Sequence, residues 1–335
     1  MTIVSQIKFE DIDVVACEKI DVELPSLAPD EVRIAPAYMG VCGSELHVLA
    51  GKHPFAKPPM VTGHEIAAIV TEIGSAVTNA AVGDHVVVDP IMACGKCRAC
   101  RSGRFNLCEP PQVAGFRAPG FGRSSHVVPA RNLHIAPKGL PLRVLAFAEP
   151  AACAHHCTGR LPEEAREDVL VIGAGTIGLS IIQALRIRGA GRITVVEPDP
   201  HKCKLALDLG AARSVAPGGL ADSERFTGVI DVVAAQATLT EACTKVIAGG
   251  TVVCMGVPDG PREIPLSSMQ RFERDLLSSG MYVPADFEGA IAWLASGQFD
   301  TARLITDVFP VEQAAQAYAR ARTGEAIKVL VQFPS

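Results

Sequence analysis

The chain has 335 residues, of which 48% are hydrophobic and 20% charged, and its formal net charge is −5. This length is sufficient for two domains with separate cores, and the composition is typical of a folded protein, not a disordered one. The acidic balance, with aromatic residues making up 5% of the chain, argues against nucleic acid and anionic membranes as partners.

The N-terminal segment carries acidic residues and has no uninterrupted apolar stretch, so we expect no signal peptide. Residues 169–185 are the most apolar segment, but three glycines and a strand-then-helix pattern indicate a buried βα unit instead of a membrane span. Eleven cysteines in a chain without export signals favour a reducing compartment, and we expect a cytoplasmic protein.

The first 150 residues are predicted to be rich in β-strands. Their short apolar runs, such as EVRIAPAYM, EIAAIVTEIG and GDHVVVDP, are punctuated by Gly, Pro and Asp. From about Arg166 onward, strands alternate with helical segments, which predicts a parallel, doubly wound sheet with helices on both faces. A helix (DFEGAIAWLASGQ) and a closing strand (IKVLVQF) follow this region.

Three short segments of the β-rich region contain residues that can bind a metal. GVCGSELH contains Cys42, Ser44 and His47, GHE contains His64 and Glu65, and FAEPA contains Glu149. Each residue alone is unremarkable, since a single cysteine is usually a small buried hydrophobe. Together, upstream of a dinucleotide-type fold, they can supply three zinc ligands and leave one position open, which is the arrangement of a catalytic zinc site.

A separate cluster of four cysteines lies in CGKCRACRSGRFNLC, at Cys94, Cys97, Cys100 and Cys108. Four thiolates complete a tetrahedral zinc site and leave no position for substrate, so we interpret this cluster as a structural zinc site that holds a long loop. The alternative, a zinc-dependent nucleic-acid binder, would need a basic surface. The loop has four cationic residues, Lys96, Arg98, Arg101 and Arg104. They can offset the formal −2 charge of a zinc ion bound by four thiolates.

The segment GAGTIG matches the pattern G-x-G-x-x-G, with glycines at Gly173, Gly175 and Gly178 and with Thr176 and Ile177 between the last two. It follows an apolar strand and opens an apolar helix, which is the context expected for a dinucleotide-binding turn. The helix N-terminus would then meet the pyrophosphate.

Glu197 ends the next strand, where a carboxylate can accept hydrogen bonds from both ribose hydroxyls and repel a 2′-phosphate. We therefore predict NAD as the cofactor, although a strand-end glutamate in solvent would also fit the pattern. Lys202, together with His201, is a candidate neighbour of the adenosine ribose.

These motifs occur in the order and spacing of one known family. Together with PARNLHIAP, VVEPDPHKCKLALDLGA and AGGTVVCMGV, they make the chain resemble the zinc-dependent medium-chain alcohol dehydrogenases, in particular the polyol (sorbitol) and threonine dehydrogenase branches. The resemblance covers nearly the whole chain. It implies an α/β protein with a GroES-like β-rich catalytic domain (1–152 and 286–335) and a Rossmann NAD-binding domain (153–285). It also implies a homodimer or homotetramer.

The resemblance further implies a catalytic zinc bound by Cys42, His64 and Glu149, with Glu65 or water as the fourth ligand. Zinc would bind the substrate oxygen and lower the pKa of its hydroxyl, and the carbon-bound hydride would pass to the nicotinamide. Ser44 and then His47 would carry the proton to solvent through the ribose hydroxyls.

The expected substrate is a secondary alcohol with a neighbouring hydroxyl or amine: a polyol, vicinal diol, aminocyclitol or amino alcohol. Its pocket is predicted to include Ser44, Leu46, Phe55, Phe116 and Glu149. One departure from the family pattern is the polar segment 123–126 (RSSH), which we expect to be a solvated loop unless it faces substrate or a neighbouring subunit. Two other functions remain open: a non-catalytic NAD-binding scaffold or sensor, and a zinc-free quinone reductase of the same fold.

Overall fold

The structure is a computed structural model, and it describes residues 1–109, 112–258 and 260–334. It divides into two compact units. The first unit comprises Met1–Glu149, Val283–Gly297 and Thr301–Ser335, and the second comprises Pro150–Tyr282 and Gln298–Asp300.

In chain order the strands are β1 (Thr2–Asp11), β2 (Val14–Val22), β3 (Glu31–Val41), β4 (Met60–Val61), β5 (Glu65–Ile73), β6 (His85–Val88), β7 (His126–Pro129), β8 (Leu133–Ile135), β9 (Asp168–Ile172), β10 (Arg192–Val196), β11 (Arg213–Val215), β12 (Phe226–Asp231), β13 (Val246–Cys254), β14 (Asp275–Ser278), β15 (Ile305–Pro310) and β16 (Lys328–Gln332). The α-helices are α1 (Gly43–Leu49), α2 (Arg98–Arg101), α3 (Leu142–Leu145), α4 (Ala148–Arg160), α5 (Thr176–Ile187), α6 (Pro200–Asp208), α7 (Gln236–Lys245), α8 (Leu266–Arg271), α9 (Pro284–Ala295) and α10 (Ala314–Arg322).

The first unit is built on two sheets. A three-stranded sheet has the order β2-β1-β4, and a seven-stranded sheet has the order β15-β16-β3-β5-β6-β8, with β7 also paired to β3. Strand β3 lies inside the larger sheet, and its side chains Val32, Ile34 and Met39 are fully buried in the main core of this unit. Because β16 and β5 flank β3, the C-terminal strand lies close to the segment that contains His64 and Glu65.

The second unit contains a six-stranded sheet with the order β11-β10-β9-β12-β13-β14. Every pairing in it is parallel. Strand β9 is the first in sequence and lies in the middle, which gives the 3-2-1-4-5-6 order of a Rossmann fold. In β9, Val169–Val171 are fully buried, as expected for a central strand of a parallel sheet covered on both faces. The predicted fold class is confirmed.

The apolar segment 169–185 forms strand β9 and most of helix α5, as its glycines indicate. Within the described ranges, every helix is too short or too polar to span a bilayer. All eleven cysteines are free thiols.

The polar segment 123–126 is half buried instead of forming a solvated loop. The Arg123 Nε–H donates to Gln6 Oε1 at 2.8 Å, and Ser124 Oγ accepts from the backbone N–H of Ser5 at 3.0 Å. Burial, with the charge of Arg123, lowers the pKa of His126 to about 4. Arg123, Ser125 and His126 border a cavity of about 340 Å³ beside β1 and β2. These contacts tie the segment to the N-terminal hairpin, which explains its polar composition.

Candidate metal and dinucleotide sites

One group of potential metal ligands lies in the first unit, at the N-terminus of α1 and the start of β5. Cys42 is the residue that precedes α1, and His64 and Glu65 lead into β5. One ligand atom from each of these three residues lies within 4.8 Å of the other two. His64 and Glu65 are buried, at 5% and 1% exposure. Thiolate, imidazole and carboxylate are donors that zinc accepts, so the group fits a zinc ion.

Glu45, which belongs to none of the predicted ligand sets, orients His64. Glu45 is fully buried, and its Oε1 accepts from His64 Nδ1–H at 3.0 Å and from the Gly63 N–H at 2.9 Å. Because Nδ1 carries a proton in this contact, Nε2 is the ring nitrogen that a metal would bind. Glu45 lies three residues after Cys42, about one helical turn away. A carboxylate at this spacing from a ligand cysteine is the sequence pattern that could have indicated its role.

Tyr318 of α10 completes the contacts of Glu45. Its hydroxyl donates to Glu45 Oε2 at 2.9 Å and also lies 3.1 Å from Thr62 Oγ1. Burial opposes ionisation of Glu45, but His64, with the hydroxyls of Tyr318 and Thr62, outweighs it and lowers the pKa of the Glu45 carboxyl. Burial alone would lower the pKa of His64, yet Cys42 and Glu45 raise it well above its usual value. The negative groups around His64 therefore favour a cation at this point.

Glu65 is paired with Lys328, the first residue of β16. Lys328 Nζ donates to Glu65 Oε1 at 2.9 Å, to Glu65 Oε2 at 2.7 Å and to the Val41 carbonyl at 3.2 Å. Gly40 of β3 lies opposite Glu65, and a Cβ on Gly40 would lie 2.0 Å from Glu65 Oε2. The glycine therefore leaves the space in which the carboxylate meets the lysine. Both Glu65 oxygens accept from Lys328, so a metal ion bound to this carboxylate would lie beside a buried ammonium charge.

Glu149 lies in the first turn of α4 and is 9% exposed. It is not part of the ligand group that joins Cys42, His64 and Glu65 among the described residues. It is nevertheless close enough to influence Lys328: burial would lower the pKa of that lysine, but Glu65, Cys42 and then Glu149 raise it. Glu149 therefore lies near the same charged group as Lys328, Glu65 and Cys42.

The other residues predicted around this metal group have different surroundings. Ser44 Oγ–H donates to Cys42 Sγ at 3.1 Å, and the His47 side chain is exposed. The Phe116 ring lies 4.9 Å from the His64 ring, centroid to centroid, whereas Phe55 is 63% exposed. Leu46 packs against the hydrophobic core of the first unit.

The four cysteines of residues 94–108 converge on one point. Their sulfur atoms all lie within 4.8 Å of one another, and the Cys94 and Cys100 sulfurs are 3.9 Å apart. Tetrahedral zinc with bonds of about 2.3 Å places its sulfurs roughly 3.8 Å apart, so the cluster fits zinc. Hydrogen bonds from the backbone N–H groups of Lys96 and Cys97 lower the pKa of Cys94 to about 6, which favours the thiolate that binds metal.

In the second unit, the glycine motif forms the turn between β9 and α5. Gly173 has φ = +99°, and a Cβ on Gly178 would lie 2.0 Å from the Gly173 carbonyl oxygen. Neither position accepts a side chain without rearrangement. A Cβ on Gly175, by contrast, would meet nothing within 4 Å. Gly175 directly precedes α5, so this open space lies at the N-terminus of the helix, where a phosphate can approach. Thr176 and Ile177 are the first two residues of that helix.

Glu197 lies against this turn. It is 6% exposed, and its Oε2 accepts from the Ala174 N–H at 2.7 Å while Oε1 accepts from the Asp199 N–H at 3.0 Å. The carboxylate is therefore fixed at the glycine motif and is not a solvated strand end. Lys202 lies in α6, with its Nζ 3.9 Å from Asp199 Oδ2.

Asp231, which lies outside the motifs described above, holds the neighbouring turn. It is fully buried at the end of β12, and its Oδ1 accepts from the N–H groups of Val233 and Ala234 at 2.9 and 3.0 Å. The Val233 side chain in turn lies against Gly173.

Comparisons with known proteins identify the family of the chain. Residues 28–138 match the model of the alcohol dehydrogenase GroES-like domain, and residues 176–296 match that of the zinc-binding dehydrogenase domain. The chain is 32% identical to L-idonate 5-dehydrogenase from Vitis vinifera, over 92% of this chain and 89% of the relative. It is 31% identical to sorbitol dehydrogenase from Bacillus subtilis, over 92% of each.

Solved structures show the same fold. A zinc-binding dehydrogenase from Sinorhizobium meliloti, bound to NADP, has a TM-score of 0.92 at 28% identity and covers 99% of this chain and 100% of its own. An Escherichia coli alcohol dehydrogenase complexed with NADH has the same TM-score, identity and coverage. The chain therefore belongs to the zinc-dependent medium-chain alcohol and polyol dehydrogenase family, as the motifs predict.

Proposed function

We propose that this dehydrogenase oxidises a secondary alcohol with neighbouring hydroxyl groups to a ketone, with NAD as the hydride acceptor. The observation that carries this proposal is the convergence of Cys42 and His64, with Glu65 beside them, in which the Glu45 carboxylate fixes the His64 ring through its Nδ1–H. The names of the relatives support the substrate class, because they act on polyhydroxylated compounds such as sorbitol and idonate.

We further propose that Cys42, His64 and Glu149 hold the catalytic zinc. Glu65 then stays with Lys328, because both of its oxygens accept hydrogen bonds from that buried ammonium. When bound, zinc supplies a Lewis acid that lowers the pKa of the substrate hydroxyl, and the nicotinamide accepts the hydride. Around it, the chain holds His64 in one tautomer through Glu45 and offsets the local negative charge through Lys328.

The proton released from the substrate leaves through Ser44 and His47 in this proposal. Ser44 lies beside Cys42, two residues along the chain, and its hydroxyl can accept a proton from a bound alcohol as it passes its own onward. His47 is exposed on the same helix and can transfer the proton to solvent. The four-cysteine cluster takes no part in the reaction, because its four thiolates fill a tetrahedral site.

The preference for NAD is supported by Glu197. Its buried carboxylate lies at the Ala174 N–H of the glycine motif, where a 2′-phosphate would meet a negative charge. The related structures include both NADP and NADH complexes, so the family itself does not decide the cofactor.

We also propose a cytoplasmic homo-oligomer, either a dimer or a tetramer. The free state of all eleven cysteines supports a reducing compartment. Mass photometry of the purified protein decides between the two assembly states, and a monomer would contradict the proposal.

The test of the function is a substrate panel with the zinc-loaded protein. Polyols, sugar acids, vicinal diols and amino alcohols are each supplied with NAD or NADP, and the absorbance of the reduced cofactor is followed. We expect turnover of at least one polyhydroxylated secondary alcohol, with NAD preferred. Turnover of none of these classes, or oxidation of primary alcohols alone, would contradict the proposal.

A further inference from the structure

A row of rings extends from the metal group toward the surface. The Phe116 ring contacts His64 on one side and, at a centroid distance of 5.0 Å, His53 on the other. His53 in turn meets the Phe55 ring at 5.9 Å, edge to face. The Arg117 guanidinium lies over the Phe55 ring, 4.9 Å from its centroid. The row therefore begins at a metal-binding residue and ends at a cation.

The backbone fixes the position of His53 relative to the metal group. The His47 carbonyl at the end of α1 accepts from the N–H groups of Lys52 and His53, at 2.8 and 3.1 Å. The loop that carries His53 is thus attached to the same short helix that begins beside Cys42.

His53 is held as a hydrogen-bond donor. Its Nδ1 accepts from the Phe55 N–H at 3.2 Å, which assigns the ring proton to Nε2. Burial, and then the charges of His47 and His64, lower the pKa of His53, so the ring stays neutral at neutral pH. The Nε2–H group has no hydrogen-bond partner among the residues that the structure describes.

Arg117 is exposed, and the described part of the chain offers no carboxylate within ion-pair distance of it. Its planar guanidinium stacks on Phe55, which restricts its freedom while leaving its N–H groups available. A cation and a neutral donor thus lie along the row of rings that starts at His64. A carboxylate fits both, whereas the ammonium of an amino alcohol would be repelled by the guanidinium.

We propose that His53 and Arg117 recognise a carboxylate at the far end of the substrate, so that the preferred substrate is a polyhydroxy acid instead of a neutral polyol. The inference rests on the proposed function, since it places the oxidised carbon at the metal group. His53 donates through Nε2–H to the carboxylate or to a hydroxyl beside it, and Arg117 supplies the charge-assisted contact.

The test compares matched pairs of aldonates and alditols that differ only in having a carboxylate or a hydroxymethyl group at carbon 1. For the wild-type holoenzyme we expect kcat/KM for the best aldonate to exceed that of its alditol partner by about tenfold or more. Arg117→Met, which keeps an apolar stem on Phe55, should lower the aldonate value by about tenfold through KM and leave the alditol value unchanged. Arg117→Lys should retain most of the preference.

Two further measurements separate recognition from general damage to the protein. Calorimetric binding of the aldonate to the NAD-loaded protein should weaken in Arg117→Met and in His53→Phe, which preserves the ring contact but removes the donor. Arg131→Met, at an exposed arginine of the same unit, is the control and should change neither binding nor kinetics.

An alditol preference in the wild type, or an equal effect of Arg117→Met on both substrates, would overturn this inference while leaving the proposed function intact. Oxidation of other secondary alcohols with no turnover of aldonates would do the same. Failure to oxidise any secondary alcohol would overturn both.

Discussion

Replacing Lys328 with methionine should destabilise the first unit and at the same time tighten its hold on zinc. The side chains of Lys328 and Glu65 are 3% and 1% exposed. Because solvent does not reach the Glu65 carboxylate, the Lys328 ammonium is the nearby charge that compensates it. Removing one member of a buried ion pair typically costs about 3–5 kcal/mol, because the remaining charge is left unpaired. The lost contact to the Val41 carbonyl adds about 1 kcal/mol.

Zinc changes this cost because it brings a positive charge to the same place. In the zinc-loaded variant, Glu65 is released from the lysine and can turn to the metal, so the destabilisation should be smaller. If zinc restores about 3 kcal/mol, linkage requires zinc affinity to rise by roughly 100-fold. The double variant Lys328→Met/Glu65→Leu has no unpaired charge and should recover most of the lost stability without zinc.

Urea unfolding of the zinc-stripped and zinc-loaded proteins provides the measurement. The chain has one tryptophan, Trp293 in α9, which belongs to the first unit, so its fluorescence follows unfolding of that unit. Competition with a chromogenic chelator gives the zinc affinity. A free energy of unfolding for the zinc-stripped Lys328→Met variant within about 1 kcal/mol of wild type, with unchanged zinc affinity, would refute the reasoning.

Three further predictions follow from other contacts. Glu197→Ala should lower kcat/KM for NAD by about tenfold or more and reduce the discrimination against NADP, and an unchanged ratio would remove the role assigned to Glu197. Tyr318→Phe should lower the free energy of unfolding by about 1–3 kcal/mol and speed the loss of zinc to a chelator, because the buried Glu45 carboxylate loses a hydrogen-bond donor. The control Tyr38→Phe in β3 should change neither quantity. Burial raises the pKa of Asp89 to about 7 in the folded protein. Between about pH 4 and 7 the folded state therefore holds a proton on Asp89 that the unfolded state has lost, and the free energy of unfolding falls as pH rises through that range. Asp89→Asn should therefore be more stable than wild type at pH 8, by up to about 4 kcal/mol, and similar to it at pH 4, as measured by urea unfolding at both values.

The parts of the fold that the sequence predicts are those with local patterns. The strand-to-helix alternation after Arg166 and the glycines of GAGTIG specify the parallel unit, because each βα turn needs its own residues in a short stretch. The spacing of Cys94, Cys97, Cys100 and Cys108 likewise predicts a convergent cluster, which the structure shows.

Contacts made by distant residues were not visible in the sequence. Lys328 reaches Glu65 across 263 positions, and Tyr318 reaches Glu45 across 273. The first contact depends on which strands flank β3, and the second on how helices α1 and α10 pack, so no local pattern encodes either of them. The placement of Leu46 in a substrate pocket stays a prediction; its side chain is partly buried and packs against the hydrophobic core of the first unit.

The measurement that tests the central claim most directly is zinc content together with NADH formation in two variants, Cys42→Ser and Cys97→Ser. We predict that Cys42→Ser retains one zinc per chain and the wild-type unfolding transition of Trp293, yet loses hydride transfer by about 1,000-fold or more. Cys97→Ser should lose the other zinc and much of its stability, while its folded fraction still forms NADH. If Cys42→Ser kept near-wild-type turnover with one zinc bound, or if fully folded Cys97→Ser formed no NADH, the four-cysteine cluster would be the catalytic centre and the account would be wrong.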